Sequence, residues 1–180
     1  MISHFVLNRM GVKMDTIVAV DAKWGIGRDN DMLFSIPDDM KFFRATTLGA
    51  VVISGKNTLF SFPGAKPLPK RRNIIISRTL EENEGYEVVR DIDSLFELLR
   101  DVKDEKIFVI GGAEVYAELL PYCEKAYVTK MHKDFNGAKF FPNLDENADW
   151  SMIEEGEMKN YEGVDYQFTT YQNAKVKKMF

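Results

Sequence analysis

The sequence is poor in the residues that build disulfides and metal sites. Among 180 residues there is one cysteine, Cys123, and there are two histidines, His4 and His132. A single cysteine excludes an intrachain disulfide and favours a reducing compartment. These three residues also cannot build a closed zinc site of Cys and His ligands. We therefore expect neither a disulfide framework nor a structural metal.

Long apolar runs and an excess of positive charge are also missing. The longest runs, such as 17–20 and 107–110, are far shorter than the ~20 residues that a bilayer requires. The N-terminal cluster 5–7 is too short for the apolar region of a secretory signal. The chain carries 24 Lys and Arg against 28 Asp and Glu, which argues against nucleic acid or an anionic membrane as a partner. We expect a cytoplasmic protein.

The length and composition indicate one globular domain. A chain of 180 residues that is 45% hydrophobic and 29% charged is ordinary for a soluble domain. The first convincing strand begins at Thr16, so residues 1–13 are interpreted as an N-terminal extension outside the fold. The domain would then cover 14–173, and 174–180 would form a C-terminal tail.

Short β-branched runs alternate with helical stretches. The helices are predicted to begin at Pro37 and Ala113 and to cover 91–102. The last two strands alternate apolar and polar residues, as an antiparallel edge pair does. The pattern predicts an α/β domain with a central, mostly parallel eight-stranded sheet, an antiparallel C-terminal edge and about four flanking helices. The predicted strands are 16–20, 51–54, 73–77, 86–89, 106–110, 125–131, 150–155 and 166–171.

Two glycines separate a buried strand from a helix. Ligands of such sheets bind outside the carboxyl ends of the strands, and Gly111 and Gly112 would let backbone N–H groups approach a diphosphate there. A tight strand-to-helix turn explains this pair equally well.

Two further strand ends carry hydrogen-bond donors. The predicted strand 51–54 leads into Gly55, Lys56, Asn57 and Thr58. The predicted strand 73–77 ends at Ser77 and is followed by Arg78. Residues 56–58 could cap a short helix and donate to phosphate. Three such strand ends in one sheet suggest an extended polyphosphate ligand.

A long loop, 23–36, precedes the first helix, and loops of this length are often lids over sites. Asp38 and Asp39 follow at the positive end of that helix, where compensation of the helix dipole alone would explain them. Asp39 shares a helix face with Phe43, so a carboxylate beside an aromatic ring could hold a flat heterocycle that carries N–H groups. The same spacing allows Asp38 with Phe42.

Seven motifs in order resemble a dihydrofolate reductase, from about Asp15 to Asn173. One such motif would be a weak signal, whereas seven in the order of the family are a strong one. They are Ala-Val-Asp at 19–21, Gly-Ile-Gly-Arg-Asp-Asn at 25–30, Ile-Pro-Asp-Asp-Met-Lys-Phe-Phe-Arg at 36–44, Ile-Ser-Gly-Lys-Asn-Thr at 53–58, Pro-Leu-Pro-Lys-Arg-Arg-Asn-Ile-Ile-Ile-Ser at 67–77, Ile-Gly-Gly-Ala-Glu-Val-Tyr at 110–116 and Phe-Phe-Pro at 140–142.

The resemblance implies NADPH-dependent reduction of 7,8-dihydrofolate to tetrahydrofolate, a step of one-carbon metabolism. Asp39 would be the acidic residue of the pterin pocket and would favour protonation of the ring nitrogen next to the carbon that accepts hydride. Thr129 would support Asp39 through a hydrogen bond. Arg71 would pair with the α-carboxylate of the substrate's glutamate, as a guanidinium fork does.

The resemblance also implies a small-molecule site without a metal. We expect a monomer that binds dihydrofolate, including polyglutamylated forms, and antifolate inhibitors. The implied substrate-binding residues are Ile17, Ala19, Met40, Phe43, Phe62, Leu68, Arg71, Ile110, Tyr116 and Thr129. The implied NADPH-binding residues are Ala19, Ile26, Gly27, Gly55, Lys56, Asn57, Thr58, Ser77, Arg78, Gly111, Gly112, Ala113, Glu114 and Val115.

Three positions depart from the usual pattern of the family. Phe34 stands where the lid usually has a tryptophan, and Ala138 where many members have an aspartate that pins the lid. Glu114 stands where some members have a basic residue near the 2′-phosphate.

Three other functions fit parts of the sequence. A reductase of the same fold that acts on a phosphoribosylated pyrimidine in riboflavin synthesis would need a ribose-phosphate site instead of Asp39 and Arg71. A nucleotide-binding module without catalysis would keep the glycine pair but would not need Asp39. A nucleic-acid binder could use the basic stretch 66–72, which lacks interleaved aromatic residues.

Overall fold

The computed structural model describes residues 11–102 and 104–180, which form one mixed α/β unit. Its helices are α1 (Pro37–Thr47), α2 (Lys56–Ser61), α3 (Ile92–Leu99) and α4 (Ala113–Leu119). Its strands are β1 (Met14–Val20), β2 (Gly25–Gly27), β3 (Val51–Gly55), β4 (Arg72–Ile76), β5 (Tyr86–Val89), β6 (Ile107–Gly111), β7 (Cys123–Met131), β8 (Lys139–Phe140), β9 (Trp150–Glu155), β10 (Lys159–Tyr161) and β11 (Val164–Asn173).

The main sheet has the order β10-β11-β7-β1-β6-β3-β4-β5, and β9 also pairs with β11. Six neighbouring strands, from β7 to β5, are parallel, while β11 is antiparallel to β7, β9 and β10. Strand β7 pairs with one edge of β11, and β9 and β10 both pair with its other edge. The main sheet therefore has eight strand positions across its width. The predicted fold class is confirmed, including the antiparallel pairing of the last two predicted strands.

Some local predictions need correction. The predicted strands 86–89 and 150–155 coincide with β5 and β9, and the other six predicted strands differ from the observed ones by one or two residues at one or both ends. The short strands β2, β8 and β10 were not predicted. The predicted capping of α2 by side chains of 56–58 is wrong, because the helix begins at Lys56 with Gly55 at its N-cap and no side-chain capping bond.

The core lies on both faces of the sheet. Successive residues of a strand point to opposite faces, and Val51 joins the larger cluster while Val52 joins a smaller one. In the larger cluster α3 contributes Leu95 and Leu99. Against the smaller cluster pack Phe42 and Phe43 of α1, so this helix covers the second face. The candidate site lies beside α1 on that face.

Both ends of the described chain contact the domain. Of the predicted extension 1–13, residues 1–10 lie outside the described residues, and Val12 packs against the larger core cluster. Of the predicted tail, Met179 packs against the same cluster. Within 11–102 and 104–180, no helix is long and apolar enough to cross a membrane.

Candidate active site

A buried carboxylate lies in the first turn of α1. The side chain of Asp39 faces the sheet, and the residue is only 9% exposed. Thr129, buried on β7, donates a hydrogen bond from Oγ1 to Asp39 Oδ1 at 2.6 Å. The side chains of this predicted pair are therefore in direct contact, although 90 residues separate them in the sequence.

The neighbouring Asp38 points the other way. It is exposed, and its Oδ2 accepts from Lys159 Nζ at 3.4 Å and from the Tyr166 hydroxyl at 3.1 Å. The choice that the spacing left open is therefore settled, because Asp39 is the carboxylate on the buried side of the helix.

Asp39 keeps one oxygen available. Burial raises the pKa of its carboxyl group, and the hydrogen bond from Thr129 opposes that rise. No side-chain oxygen or nitrogen of the described residues is both fully buried and without a partner. Asp39 Oδ2 has no partner among those residues, so it must be accessible. The site thus presents one anchored oxygen and one open acceptor.

Apolar side chains form the wall next to this carboxylate. Phe43, Phe62 and Leu68 pack, partly buried, against a cluster that contains Ile17 and Ile110. These five residues come from α1, two connecting segments, β1 and β6. All five were implied by the resemblance, and the structure brings them together on one face of the sheet.

Two nearby residues of α1 have different surroundings. Met40 is 44% exposed and is not part of this cluster. The ring of Phe42 packs tilted on Phe168, with 4.9 Å between ring centroids, and edge-on to Tyr127. Phe42 and Phe43 both pack against the smaller cluster, and Phe43 is the one that follows Asp39 at the i,i+4 spacing.

Tyr116 connects the helix α4 to the strand β1. Its hydroxyl donates to the backbone carbonyl of Ile17 at 2.8 Å. Burial, together with the nearby charge of Asp39, raises the pKa of this phenol far above its ordinary range. Tyr116 therefore stays protonated and acts as a fixed donor.

Two adjacent arginines have different surroundings. Arg71 is partly buried, and its guanidinium donates to Thr47 Oγ1 at 3.1 Å. Burial and the nearby positive charge of Arg44 lower the pKa of Arg71. Arg72 instead forms a two-pronged ion pair with Glu87, at 2.7 and 2.9 Å. Arg71, beside a second cation, is thus the better placed of the two to attract an anion.

Glycines and a threonine meet where β3 and β6 end. The two strands are neighbours, with Ser54 opposite Gly111. Gly111 has a φ of +134°, which side chains rarely tolerate, and its peptide bond to Gly112 is cis. A Cβ on either glycine would lie 3.2 Å from Thr58 Oγ1. The two glycines therefore let the end of β6 pack closely against Thr58 of α2.

The neighbouring strand β4 ends in a braced turn. Ser77 Oγ accepts from the backbone N–H groups of Thr79 and Leu80, at 3.3 and 3.0 Å. Lys56 Nζ donates to Thr79 Oγ1 at 3.3 Å, which brings two predicted phosphate-binding segments into contact. Arg90 donates to the carbonyl oxygens of Ser77 and Leu80. No role was predicted for Arg90.

The remaining implied cofactor residues lie along the same edge or on the lid. Gly55 approaches Val115, since a Cβ on Gly55 would lie 3.3 Å from Val115 Cγ2. The exposed residues are Asn57, Arg78 and Glu114, and the partly buried ones are Ala19, Ile26, Gly27 and Ala113.

The predicted lid is an ordered hairpin. After β2, Arg28 and Asp31 are joined by two backbone hydrogen bonds, and Asp29 and Asn30 between them have φ of 52° and 60°. Positive φ at both central residues is the signature of a type I′ turn. We expected a loop at 23–36 and could not predict this turn, because its residues do not include the usual glycine.

The lid is attached to the segment before β9. Strand β2 pairs with β8, and the backbone N–H of Ala138 donates to the carbonyl of Gly27 at 2.9 Å. Phe34 stacks on Phe135, with 5.2 Å between ring centroids and 14° between ring planes. Phe34 thus packs on a second aromatic ring, and Ala138 contacts the lid through its backbone N–H.

Known proteins resemble this chain over nearly its full length. Residues 13–173 match a family model described as Dihydrofolate reductase. The dihydrofolate reductase of Bacillus subtilis (strain 168) is 35% identical over 159 residues, 87% of this chain and 92% of the relative. That of Staphylococcus haemolyticus is 37% identical over 169 residues, 91% and 98% of the two chains. That of Neisseria gonorrhoeae is 35% identical over 162 residues, 89% and 98% of the two.

Proposed function

The chain belongs to the dihydrofolate reductase family, and on that basis we propose that it reduces 7,8-dihydrofolate to 5,6,7,8-tetrahydrofolate with NADPH. The observation that carries the proposal is the buried carboxylate of Asp39 beside an apolar wall, with one oxygen held by Thr129 and the other open. Such a site suits a flat, apolar ring system that carries N–H donors on one edge. A reduced pterin has this character.

Asp39 acts by position and charge. Its open oxygen accepts hydrogen bonds from the ring N–H and amino groups of the pterin, while Thr129 keeps the carboxylate from rotating. A negative charge in a poorly hydrated pocket favours a proton on the nearby ring nitrogen. The proton itself can arrive through a water molecule, so Asp39 need not touch the nitrogen that receives it.

The strand ends fit a dinucleotide with a diphosphate. Gly111 and Gly112 follow one another where β6 leads into α4, and backbone N–H groups at such a position are the usual diphosphate ligands. Lys56 and Arg78, next to Ser77, supply positive charge for one more phosphate, which supports NADPH over NADH. When bound, this cofactor supplies the hydride, and the protein supplies binding and orientation.

Arg71 fits the acidic end of the substrate. The hydrogen bond from its guanidinium to Thr47, at the end of α1, fixes its direction. Thr47 is in turn bound to the carbonyl of Phe43 at 2.8 Å, so the position of Arg71 depends on the helix that carries Asp39. A carboxylate of a glutamate tail would form a two-pronged pair with this group.

The proposal is tested by absorbance at 340 nm with dihydrofolate, first with NADPH and then with NADH. We expect oxidation of NADPH that depends on dihydrofolate, and we expect methotrexate to bind tightly in the presence of NADPH. If the protein binds NADPH but neither turns over dihydrofolate nor binds methotrexate, a nucleotide-binding module is favoured. Turnover only with a phosphoribosylated pyrimidine would favour the related reductase.

A further inference from the structure

A second buried carboxylate ties the lid to a distant part of the chain. Asp21 directly follows β1 and is 3% exposed. Its Oδ1 accepts from the backbone N–H groups of Lys23 at 2.9 Å and of Gly25 at 2.7 Å. Its Oδ2 accepts from the backbone N–H of Phe135 at 3.1 Å, 114 residues away in sequence. One side chain therefore fixes the first turn of the lid and also joins it to the facing segment, residues 132–138.

The lid and the facing segment also meet through the stacked rings of Phe34 and Phe135, and the backbone N–H of Ala22 donates to the carbonyl of Lys133 at 3.0 Å. The ion pair between Lys23 and Asp134 measures 3.0 Å, but the side chains are 71% and 36% exposed, so it adds little. Ala138 offers the lid only its backbone N–H, which donates to Gly27. Hydrogen bonds to a buried carboxylate are charge-assisted and about twice as strong as neutral ones.

Two glycines permit this close approach. A Cβ on Gly25 would lie 2.9–3.0 Å from the carboxylate atoms of Asp21. A Cβ on Gly137 would lie 3.2 Å from the Cα of Gly25 and 3.2 Å from Cδ1 of Leu33. At these two positions the lid and the facing segment are thus too close for a side chain.

We propose that Asp21 is a positioning residue for the reaction, because it holds the lid against the facing segment. Strand β2 begins at Gly25, one of the anchored residues, and carries Ile26 and Gly27, which belong to the proposed cofactor side of the site. Release of the anchor would let these residues move away from the cofactor. The effect on catalysis rests on the proposed function, whereas the anchoring of the lid does not.

The variant Asp21→Asn tests the proposal, since it keeps the size of the side chain but turns one acceptor oxygen into a donor. We expect the amide protons of Gly25 and Phe135 to exchange at least about tenfold faster, because each loses a hydrogen bond to a charged group. The rate of hydride transfer in a single turnover should fall about tenfold. The KM for dihydrofolate should stay within about threefold, because Asp39 and Arg71 are untouched.

Asp31→Asn is the matched control in the same loop. Its Oδ1 accepts only from the N–H of the next residue, Met32, at 2.8 Å, and it is exposed. We expect wild-type amide exchange at Gly25 and Phe135 and wild-type hydride transfer. Amide exchange in β3 and β6, measured in the same samples, separates a local release of the lid from a general loss of stability.

The proposal is overturned if Asp21→Asn matches the wild type in amide exchange, or if exchange accelerates while hydride transfer does not change. If Asp21→Asn does not fold, Gly25→Ala displaces the same carboxylate from the other side and should give the same pattern. Rapid exchange of the Phe135 amide in the wild type would also overturn it. A wild type that does not oxidise NADPH with dihydrofolate contradicts the proposed function, while amide exchange still tests the anchor.

Discussion

At the scale of single residues, the site combines groups that cost stability. Asp39 is a carboxylate with one hydrogen-bond partner in a largely apolar surrounding, and burial raises its pKa from the ordinary value of 3.8. A raised carboxyl pKa means that the free energy of unfolding is lower when the group is ionised than when it is protonated. The protein keeps this group because an open carboxylate oxygen is what the proposed substrate requires.

Asp39→Asn should therefore stabilise the ligand-free protein at neutral pH. We expect a rise in Tm on the order of 2–4 °C, which about 1 kcal/mol gives for a chain of this size. The rise in Tm should be largest above the folded-state pKa of Asp39, where the carboxylate of the wild type is ionised. It should shrink as the pH falls from there toward 3.8, because the folded wild type then takes up a proton before the unfolded chain does.

Thermal unfolding across this pH range measures the effect, with Asp38→Asn as the control. Asp38 is exposed, so its substitution should not raise Tm. A lower Tm for Asp39→Asn at neutral pH would show that the buried charge stabilises the fold instead.

Arg71→Lys should raise the KM for dihydrofolate about tenfold or more, because an ammonium cannot form a two-pronged pair with a carboxylate. Arg72→Lys is the matched control. The guanidinium of Arg72 is paired with Glu87, so this substitution should leave the KM for dihydrofolate unchanged. Steady-state kinetics at saturating NADPH give both values. Equal KM values for wild type and Arg71→Lys would remove Arg71 from the substrate site.

At the scale of secondary-structure elements, the proposed cofactor site depends on turns that follow the strands. The turn after β4 is shaped by Ser77, which accepts two backbone hydrogen bonds, and by Arg90 at the end of β5. Strands β4 and β5 are parallel neighbours, with Ile76 opposite Val89. Arg90 is therefore placed beside Ser77 by the register of the sheet.

Arg90→Gln should loosen this turn and raise the KM for NADPH about three- to tenfold, the effect of losing hydrogen bonds from a charged donor. The KM for NADH should change less, because NADH lacks the phosphate that the turn is proposed to hold. Arg100→Gln is the control, since Arg100 bonds Glu97 on its own helix at 3.2 Å. An equal change for the two cofactors would contradict a role of this turn in phosphate recognition.

The elements also show what the sequence can and cannot predict. Strands β3 and β6 were predicted because nearly every residue in them is apolar, as burial on both faces demands. Strands β2 and β8 contain only three and two residues and exist only by pairing with each other, so no local pattern marks them. The contacts behind the role proposed for Asp21 likewise join distant segments, so the sequence could not predict them. Spacing alone did not choose between Asp38 and Asp39; the resemblance implied Asp39, and in the fold Asp39 is the buried one.

At the scale of the whole molecule, the net charge hides the arrangement of charges. The chain has a formal net charge of −4, yet Lys56, Arg71 and Arg78 lie at or near the ends of strands. The overall charge disfavours large polyanions, and the local cations suit a small polyphosphate and an acidic tail. A ligand that contacts several of these strand ends at once should bind the folded protein only, and should therefore raise the free energy of unfolding of the whole domain.

Thermal unfolding with ligands tests this linkage. At about 100 times its Kd, a ligand adds about 2.7 kcal/mol, or roughly 5–10 °C in Tm for a protein of this size. We expect a shift with NADPH and a further shift with methotrexate. Asp39→Asn should retain the first shift and lose most of the second. Loss of both shifts would contradict separate sites for cofactor and substrate.

The central claim is that the carboxylate of Asp39 carries the reaction, and turnover of Asp39→Asn beside Asp38→Asn tests it most directly. With dihydrofolate and NADPH near pH 7, we expect Asp39→Asn to lose at least about 100-fold in kcat and to recover part of it in acid, where the substrate is already protonated. Asp38→Asn should stay within about twofold of the wild type. Wild-type turnover by Asp39→Asn across the whole pH range would contradict the claim.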